Sequence, residues 1–171
     1  MIETRRLLLR PYGAADYSRL YEILTDPATM IFWPRSFTPD EVQAWIVKSG
    51  NDHKLYGIGR MAVFSKEKQI QIGDAGLVAI KISPQLCFDL GIIIQKAYQQ
   101  KGYGTEAALA LLDHAQAKFP KCNIEANMPC NHEASIRLAE KLGMDKCDEF
   151  RNPRNCGTPT YRYRVVSSDA I

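Results

Sequence analysis

The stretch from Gln95 to Gly104 carries Lys101 and two glycines, Gly102 and Gly104, and runs into a segment rich in Ala and Leu. Such a passage can hold a phosphate. The first residues of a helix have N–H groups with no acceptor inside the helix, and the positive end of its dipole lies there. Glycines just before that end let backbone N–H groups approach an anion with no side chain in the way. Lys101 adds positive charge. A Walker loop would need Gly-x-x-x-x-Gly-Lys followed by Ser or Thr, and no such string occurs. A dinucleotide fingerprint would continue Gly102-x-Gly104 with a glycine where Ala107 stands, and alanine is sometimes accepted there. However, Glu106 sits inside the helix start, and Glu125 is the only candidate for the ribose-binding acid. On spacing alone, a tight turn between strand and helix explains the glycines as well as a phosphate site does.

Composition narrows the remaining chemistry. The 46 % apolar and 24 % charged residues are those of an ordinary globular protein. A net charge of +3 is too small for a nucleic-acid stripe and is compatible with a small anionic ligand. The five cysteines are odd in number and form no Cys-x-x-Cys pair, and the three histidines are scattered. A disulfide framework, a structural zinc and any other metal site are therefore not expected. No run of about 18 apolar residues exists to span a membrane. The apolar Leu7-Leu8-Leu9 is far too short for a signal peptide, so a cytoplasmic protein is expected.

These residues must be positioned by elements that alternate strand and helix within one domain, residues 1–171. Thr4 to Arg10 reads as a strand stopped by Pro11. Ala14 to Leu24 reads as a helix with Tyr17, Leu20, Tyr21 and Leu24 on one face. Thr38-Pro39-Asp40-Glu41 starts a second helix with a capping box, and Val42, Trp45 and Ile46 form its apolar face. Tyr56 to Phe64 and Ile70 to Ile82 read as an antiparallel pair. Cys87 to Ile94 reads as a central strand, β-branched at its end. After the loop, a helix is expected from Thr105 to Phe119. Then follow a strand from Cys122 to Ala126, a helix from Ser135 to Leu142 capped by Gly143, and strands Met144 to Phe150 and Thr160 to Val166.

Gln99-x-x-Gly102-x-Gly104 resembles the Arg/Gln-x-x-Gly-x-Gly/Ala signature of the GNAT superfamily of N-acetyltransferases. Lys101-Gly102-Tyr103-Gly104-Thr105-Glu106-Ala107 is similar to a run in its ribosomal-protein-alanine acetyltransferase branch (RimJ/RimL-like). Glu3-Thr4-Arg5-Arg6-Leu7-Leu8-Leu9-Arg10 resembles that branch's opening strand, and Ser135-Ile136-Arg137-Leu138-Ala139-Glu140-Lys141-Leu142-Gly143-Met144 its closing motif. Order and spacing agree over nearly the whole chain. The resemblance implies an α/β (α+β) fold, a mixed and largely antiparallel sheet of about six to seven strands with helices on both faces. It implies acetyl-CoA as co-substrate, with no metal, and a primary amine as acceptor, either a protein N-terminus or a small molecule. Nucleic acid and membrane are not expected as partners, and the protein would be a monomer or homodimer.

Residue by residue, the resemblance places the acyl-CoA arm on the backbone of Ile92 and Ile94. The pyrophosphate would lie on N–H groups from Gln99 through Gln100, Lys101, Gly102, Tyr103 and Gly104 to Thr105. Acetyl transfer needs a proton acceptor for the amine, a donor for the oxyanion and a proton for the leaving thiolate. A backbone N–H near Ile92 or Ile93 suits the oxyanion. Asp89, in Asp89-Leu90-Gly91, stands where the branch often has Glu, and being one methylene shorter it would act through a water. A strand-end carboxylate in solvent or in a salt bridge is the plain alternative. The Tyr that many members use for the thiolate is replaced by Ala139, leaving Ser135 as substitute, or simply as a helix N-cap. Asn131 lies one residue away from the usual CoA-binding Asn, whose place His132 takes, and Lys96 replaces the usual loop Pro. The alternative function is a catalytically inactive acyl-CoA-binding or sensor module. Trp33, Arg35, Trp45 and Tyr56 are candidate acceptor-pocket residues.

Overall fold

The residues that cap the helices set the frame. In the computed structural model, which describes residues 1–82, 85–120 and 122–165, helix α1 (Tyr17–Thr25) follows a short 3-10 turn. Helix α2 (Pro39–Tyr56) begins at Thr38, whose Oγ1 accepts from the Glu41 N–H at 3.3 Å, while the Glu41 carboxylate accepts from the Thr38 N–H at 2.8 Å. It ends at Gly57, left-handed at φ +66°. Tyr56 is therefore the last residue of a helix and not the start of a strand, because Gly57 completes a C-cap. Helices α3 (Tyr103–Lys118) and α4 (Glu133–Lys141) complete the set.

The strands are β1 (Ile2–Glu3), β2 (Leu7–Arg10), β3 (Arg60–Ser65), β4 (Ile70–Ile82), β5 (Gln85–Ile94), β6 (Asn123–Pro129), β7 (Met144–Asn152) and β8 (Thr158–Val165). Val166, the expected end of the last strand, lies outside the described residues. The described residues form an 8-stranded sheet in the order β1-β2-β3-β4-β5-β6-β8-β7. Every pairing is antiparallel except that of β5 with β6. The strand beyond the expected number arises because the Thr4 N–H donates to the Leu7 carbonyl at 3.0 Å, which breaks the opening strand into β1 and β2.

Side chains alternate across a strand, and β5 shows what lies on each face. Phe88, Leu90, Ile92 and Ile94 join the main apolar cluster beneath α3 and α4, with Leu111, Leu112 and Ala139. Ile93 points the other way and joins Leu20, Ile23, Leu24 and Val42 beneath α1 and α2.

That second face also carries a buried ion pair. Asp74 on β4 is 0 % exposed and Arg60 on β3 only 7 %. The Arg60 guanidinium grips Asp74 through Nε and Nη2. Tyr12 donates its hydroxyl to the same carboxylate, and the Trp45 indole N–H donates at 3.1 Å. The guanidinium carbon lies 4.9 Å from the centroid of Trp45, and Nη1 lies against Gly91, where no Cβ would fit. Burying two charges is costly, and removing one partner exposes the full cost. Asp74→Ala should thus destabilise the fold by about 3–5 kcal/mol, read as a lower urea midpoint at unchanged slope.

Candidate active site

The site grows from an interrupted ladder. β4 pairs with β5 along its length, from Gln85 to Ile94. Among the described residues, β6 pairs with β5 only at Cys87, Phe88 and Asp89, opposite Asn123, Ile124 and Glu125. Beyond that point β6 stays with β8 and β5 with β4. The two parallel strands form a fork, with Asp89 at its root.

Which backbone groups face the fork follows from one bond. The Gln95 N–H donates to the Ile72 carbonyl, toward β4, at 2.9 Å. Alternate residues of a strand present their N–H and C=O to opposite edges, so Ile93 and Gly91 also face β4. Ile92 and Ile94 face the fork. The two residues expected to bind through their backbone are thus those the alternation turns toward the opening, while Ile93 is turned away.

Past Ile94, a 3-10 turn (Lys96–Tyr98) leads into the loop. Gln99 braces it by donating Nε2 to the Ile94 carbonyl at 2.8 Å. Gln100 at φ +60° and Gly102 at φ +79° are both left-handed, a conformation free to glycine and strained for glutamine. The backbone N–H groups from Gln100 to Thr105 find no acceptor among the described residues. Gly104 lets α3 press on the strand: a Cβ there would lie 3.6 Å from Ile92 Cγ2 and 3.8 Å from Ile94 Cγ1. The start of α3 is thereby held against the fork-facing residues. Lys101 is turned back on its own loop, with Nζ donating to the Ala97 carbonyl at 3.1 Å.

Sequence reasoning missed the tie that holds this loop. Glu106 accepts from Thr4 Oγ1 at 2.6 Å, from the Arg6 N–H at 2.8 Å and from Arg6 Nε at 2.6 Å. Arg6 Nη1 donates to the Lys101 carbonyl at 2.9 Å. Burial raises the Glu106 carboxyl pKa, but the bonds from Thr4 and Arg6 outweigh it and hold the carboxyl below its ordinary value. The opening motif and the loop motif each carry one side of this contact; the opposite charges of Arg6 and Glu106 were the available signal.

Asp89 is not a solvent-exposed strand end. Its Oδ1 accepts from Asn127 Nδ2 at 3.0 Å, across the fork. Burial pushes its pKa up; the Asn127 bond and the charges of Arg60 and Arg154 pull it down, Glu125 pushes it up again, and the net result is a raised value. Ser135 is not the N-cap of α4, because the helix starts at Glu133 and His132 holds the capping position. Ser135 Oγ lies 2.9 Å from His132 Nδ1. Where that nitrogen carries the proton, the ring donates and the serine hydroxyl keeps its own proton free. The His132 ring stacks on Phe32 at 3.7 Å, and burial lowers its pKa. Asn131 is exposed in the turn before α4.

Of the expected pocket residues, Trp33 and Trp45 meet edge-on in a cluster with Phe37. Asn155 donates to the Phe32 carbonyl at 3.4 Å, so the segment between α1 and α2 reaches both the turn before α4 and the β7–β8 connection. Arg35 is tied to Glu41 on the surface, and Tyr56 packs on the main core.

The model of the acetyltransferase (GNAT) domain matches residues 6–145. The chain belongs to the GNAT acetyltransferase family. The uncharacterized N-acetyltransferase YnaD of Bacillus subtilis is 28 % identical over 151 residues, 88 % of this chain and 85 % of its own. A ribosomal-protein alanine acetyltransferase of Vibrio fischeri shares the fold at a TM-score of 0.81 and 18 % identity, over 98 % of this chain and 96 % of its own. RimL, a ribosomal α-N-protein acetyltransferase solved with coenzyme A, matches at 0.80 and 13 % identity, over 97 % of each chain. Acetyl transfer is the reaction class of this GNAT member, and the sheet with helices on both faces is the family's fold.

Glu106→Ala removes the acceptor of three donors around a partly buried carboxylate. It should cost about 1–3 kcal/mol. The carboxyl is depressed in the folded protein, so its stabilising share is present above the unfolded pKa and is lost as pH falls through the folded one. The gap in stability between wild type and Glu106→Ala should therefore shrink on acidification, as urea titrations at several pH values would show.

Proposed function

We propose that this GNAT protein transfers the acetyl group of acetyl-CoA to a primary amine by direct attack, in the manner of the RimJ/RimL-like branch. The observation that carries the reading is the run of unpaired N–H groups from Gln100 to Thr105, set at the start of α3 beside the fork-facing backbone of Ile92 and Ile94. N–H groups at a helix start bind phosphate oxygens, and an open strand edge bonds the amide arm of the cofactor as another strand would. The pyrophosphate lies on the loop, the arm enters the fork, and the thioester reaches toward its root.

Asp89 stands at that root and acts as the base. Its raised proton affinity suits the task, since a base works best with a pKa near the working pH. It takes the amine proton, directly or through a water. The neutral amine then attacks the thioester carbon, and the Ile92 N–H, facing the fork, stabilises the oxyanion. Collapse expels the CoA thiolate; Ser135 Oγ gives its proton to the sulfur as it takes the excess proton from the attacking nitrogen, so the amide, the CoA thiol and an intact serine hydroxyl remain. The acceptor is a protein N-terminus or a small amine, entering past Trp33, Phe37 and Trp45; a protein acceptor is supported by the ribosomal proteins that the RimL-type enzymes acetylate. The reading makes the protein cytoplasmic.

A thiol-release screen with acetyl-CoA against amines and N-terminal peptides tests the activity. CoA binding with no release from any acceptor would favour an acyl-CoA-binding module instead. Gly102→Glu places a side chain and a negative charge at a left-handed position in the phosphate loop. It should abolish acetyl-CoA binding by calorimetry, and unchanged affinity would remove the loop from the site. Asp89→Asn should lower kcat about 100-fold or more with acetyl-CoA affinity retained. In the wild type, kcat/KM should fall on acidification through a pKa above the ordinary carboxylate value, because protonated Asp89 cannot act as base.

A further inference from the structure

We infer that Asn127 is the positioning residue for Asp89, holding one carboxylate oxygen so that the other faces the reacting amine; this rests on the reading of Asp89 as base. Asp89 and Glu125 are the last cross-strand partners before the fork opens. Asn127 lies two residues beyond Glu125, on the same face of β6, and its bond to Asp89 Oδ1 spans the fork where backbone pairing has stopped.

The direction of that bond is fixed from behind. Arg162 on β8 pairs in register with Asn127 and donates its Nε to Asn127 Oδ1 at 3.4 Å. An arginine has no acceptor, so the amide oxygen must face Arg162 and the amide NH2 must face Asp89. Arg162 is itself held by Glu125 at 3.3 Å and Asp148 at 3.1 Å, with the Phe150 ring 4.7 Å from its guanidinium carbon. Arg164 holds the other oxygen of Glu125 at 2.5 Å. The amide therefore cannot turn without breaking a network anchored on three strands. Asn127 can only donate, which favours ionised Asp89, and it occupies Oδ1. Oδ2 takes no hydrogen bond from the described residues. Asp89 is only partly buried, so this oxygen is the one open to an amine or a water in the fork.

The charges that act on Asp89 come from Arg60 on β3, Arg154 in the β7–β8 connection and Glu125 on β6, and none of them touches Oδ1. Losing the Asn127 bond raises the carboxyl pKa and frees the side chain to rotate. The test follows Asp89 directly, by carboxyl 13C titration of the full-length protein, and in parallel follows kcat and acetyl-CoA affinity with the best acceptor from the thiol-release screen. Asn127→Leu should raise the Asp89 pKa by about one unit, lower plateau kcat about tenfold and leave acetyl-CoA affinity within about twofold. The acid limb of kcat/KM should move with the titrated pKa. Asn127→Asp keeps the size and the acceptor for Arg162, and serves if the leucine variant folds poorly. It sets a second carboxylate against the first and should move the limb further upward.

An Asp89 titration unmoved in both variants, or a limb that stays while the titration moves, overturns the positioning role, with Asp89→Asn still inactive. Full turnover in Asp89→Asn overturns the base reading and this inference together.

Discussion

The whole site depends on a parallel ladder that stops after Asp89. Buried backbone N–H and C=O groups need partners, so a sheet that opens in its middle must satisfy every other group around the gap. This one does so by committing β5 to β4 along its length and β6 to β8 beyond the fork. On the β5 side, the Ile92 N–H and C=O and the Ile94 N–H keep no partner among the described residues, the Ile94 carbonyl being taken by Gln99. Each wall of the opening is paired along its outer side, β5 to β4 and β6 to β8. The helix start that faces the opening is held as well, since Gly104 lets α3 sit on the side chains of Ile92 and Ile94.

The α1/α2 side of the sheet explains why Asp89 differs from its neighbours. Asp74 receives a two-pronged guanidinium, a tyrosine hydroxyl and an indole N–H. Glu125 is held by Arg162 and Arg164. Both acids have partners for their charge. Asp89 lies between them and, among the described residues, receives a single neutral amide. Arg60 acts on it only from a distance, its guanidinium committed to Asp74. Burial without full compensation raises a carboxyl's proton affinity. Those two acids hold Arg60, Arg162 and Arg164 directly, and Asp89 is left with a raised proton affinity.

The strand, loop and helix of this arrangement were legible in the sequence because they are local. Strand, loop and helix follow one another from Cys87 to Phe119, and glycine positions, β-branched runs and the helix-forming segment each leave a mark on the chain. The capping box at Thr38 and the glycine after α4 were legible for the same reason. The split of β1 from β2 was not, since it turns on a single backbone bond at Thr4. The end of α2 was misread because Tyr56 favours strands while the signal, Gly57, acts one residue later. Ser135 looked like a cap, although the preceding turn lets His132 start the helix earlier.

The surroundings of Asp89, the proposed base, are not local. Asp89 draws its environment from Arg60 on β3, Asn127 on β6, Arg154 in the β7–β8 connection and Arg162 on β8. No window of sequence contains two of these elements beside Asp89, and none of these residues forms a motif with it. Cross-strand register brings them together, and register is set by hydrophobic faces far from the reacting atoms. The sequence therefore shows the glycine loop and its helix long before it shows what surrounds Asp89. On the proposed role of Asp89, a substitution on β3 or β8 would act on the chemistry without touching either substrate, by changing how strongly Asp89 holds its proton.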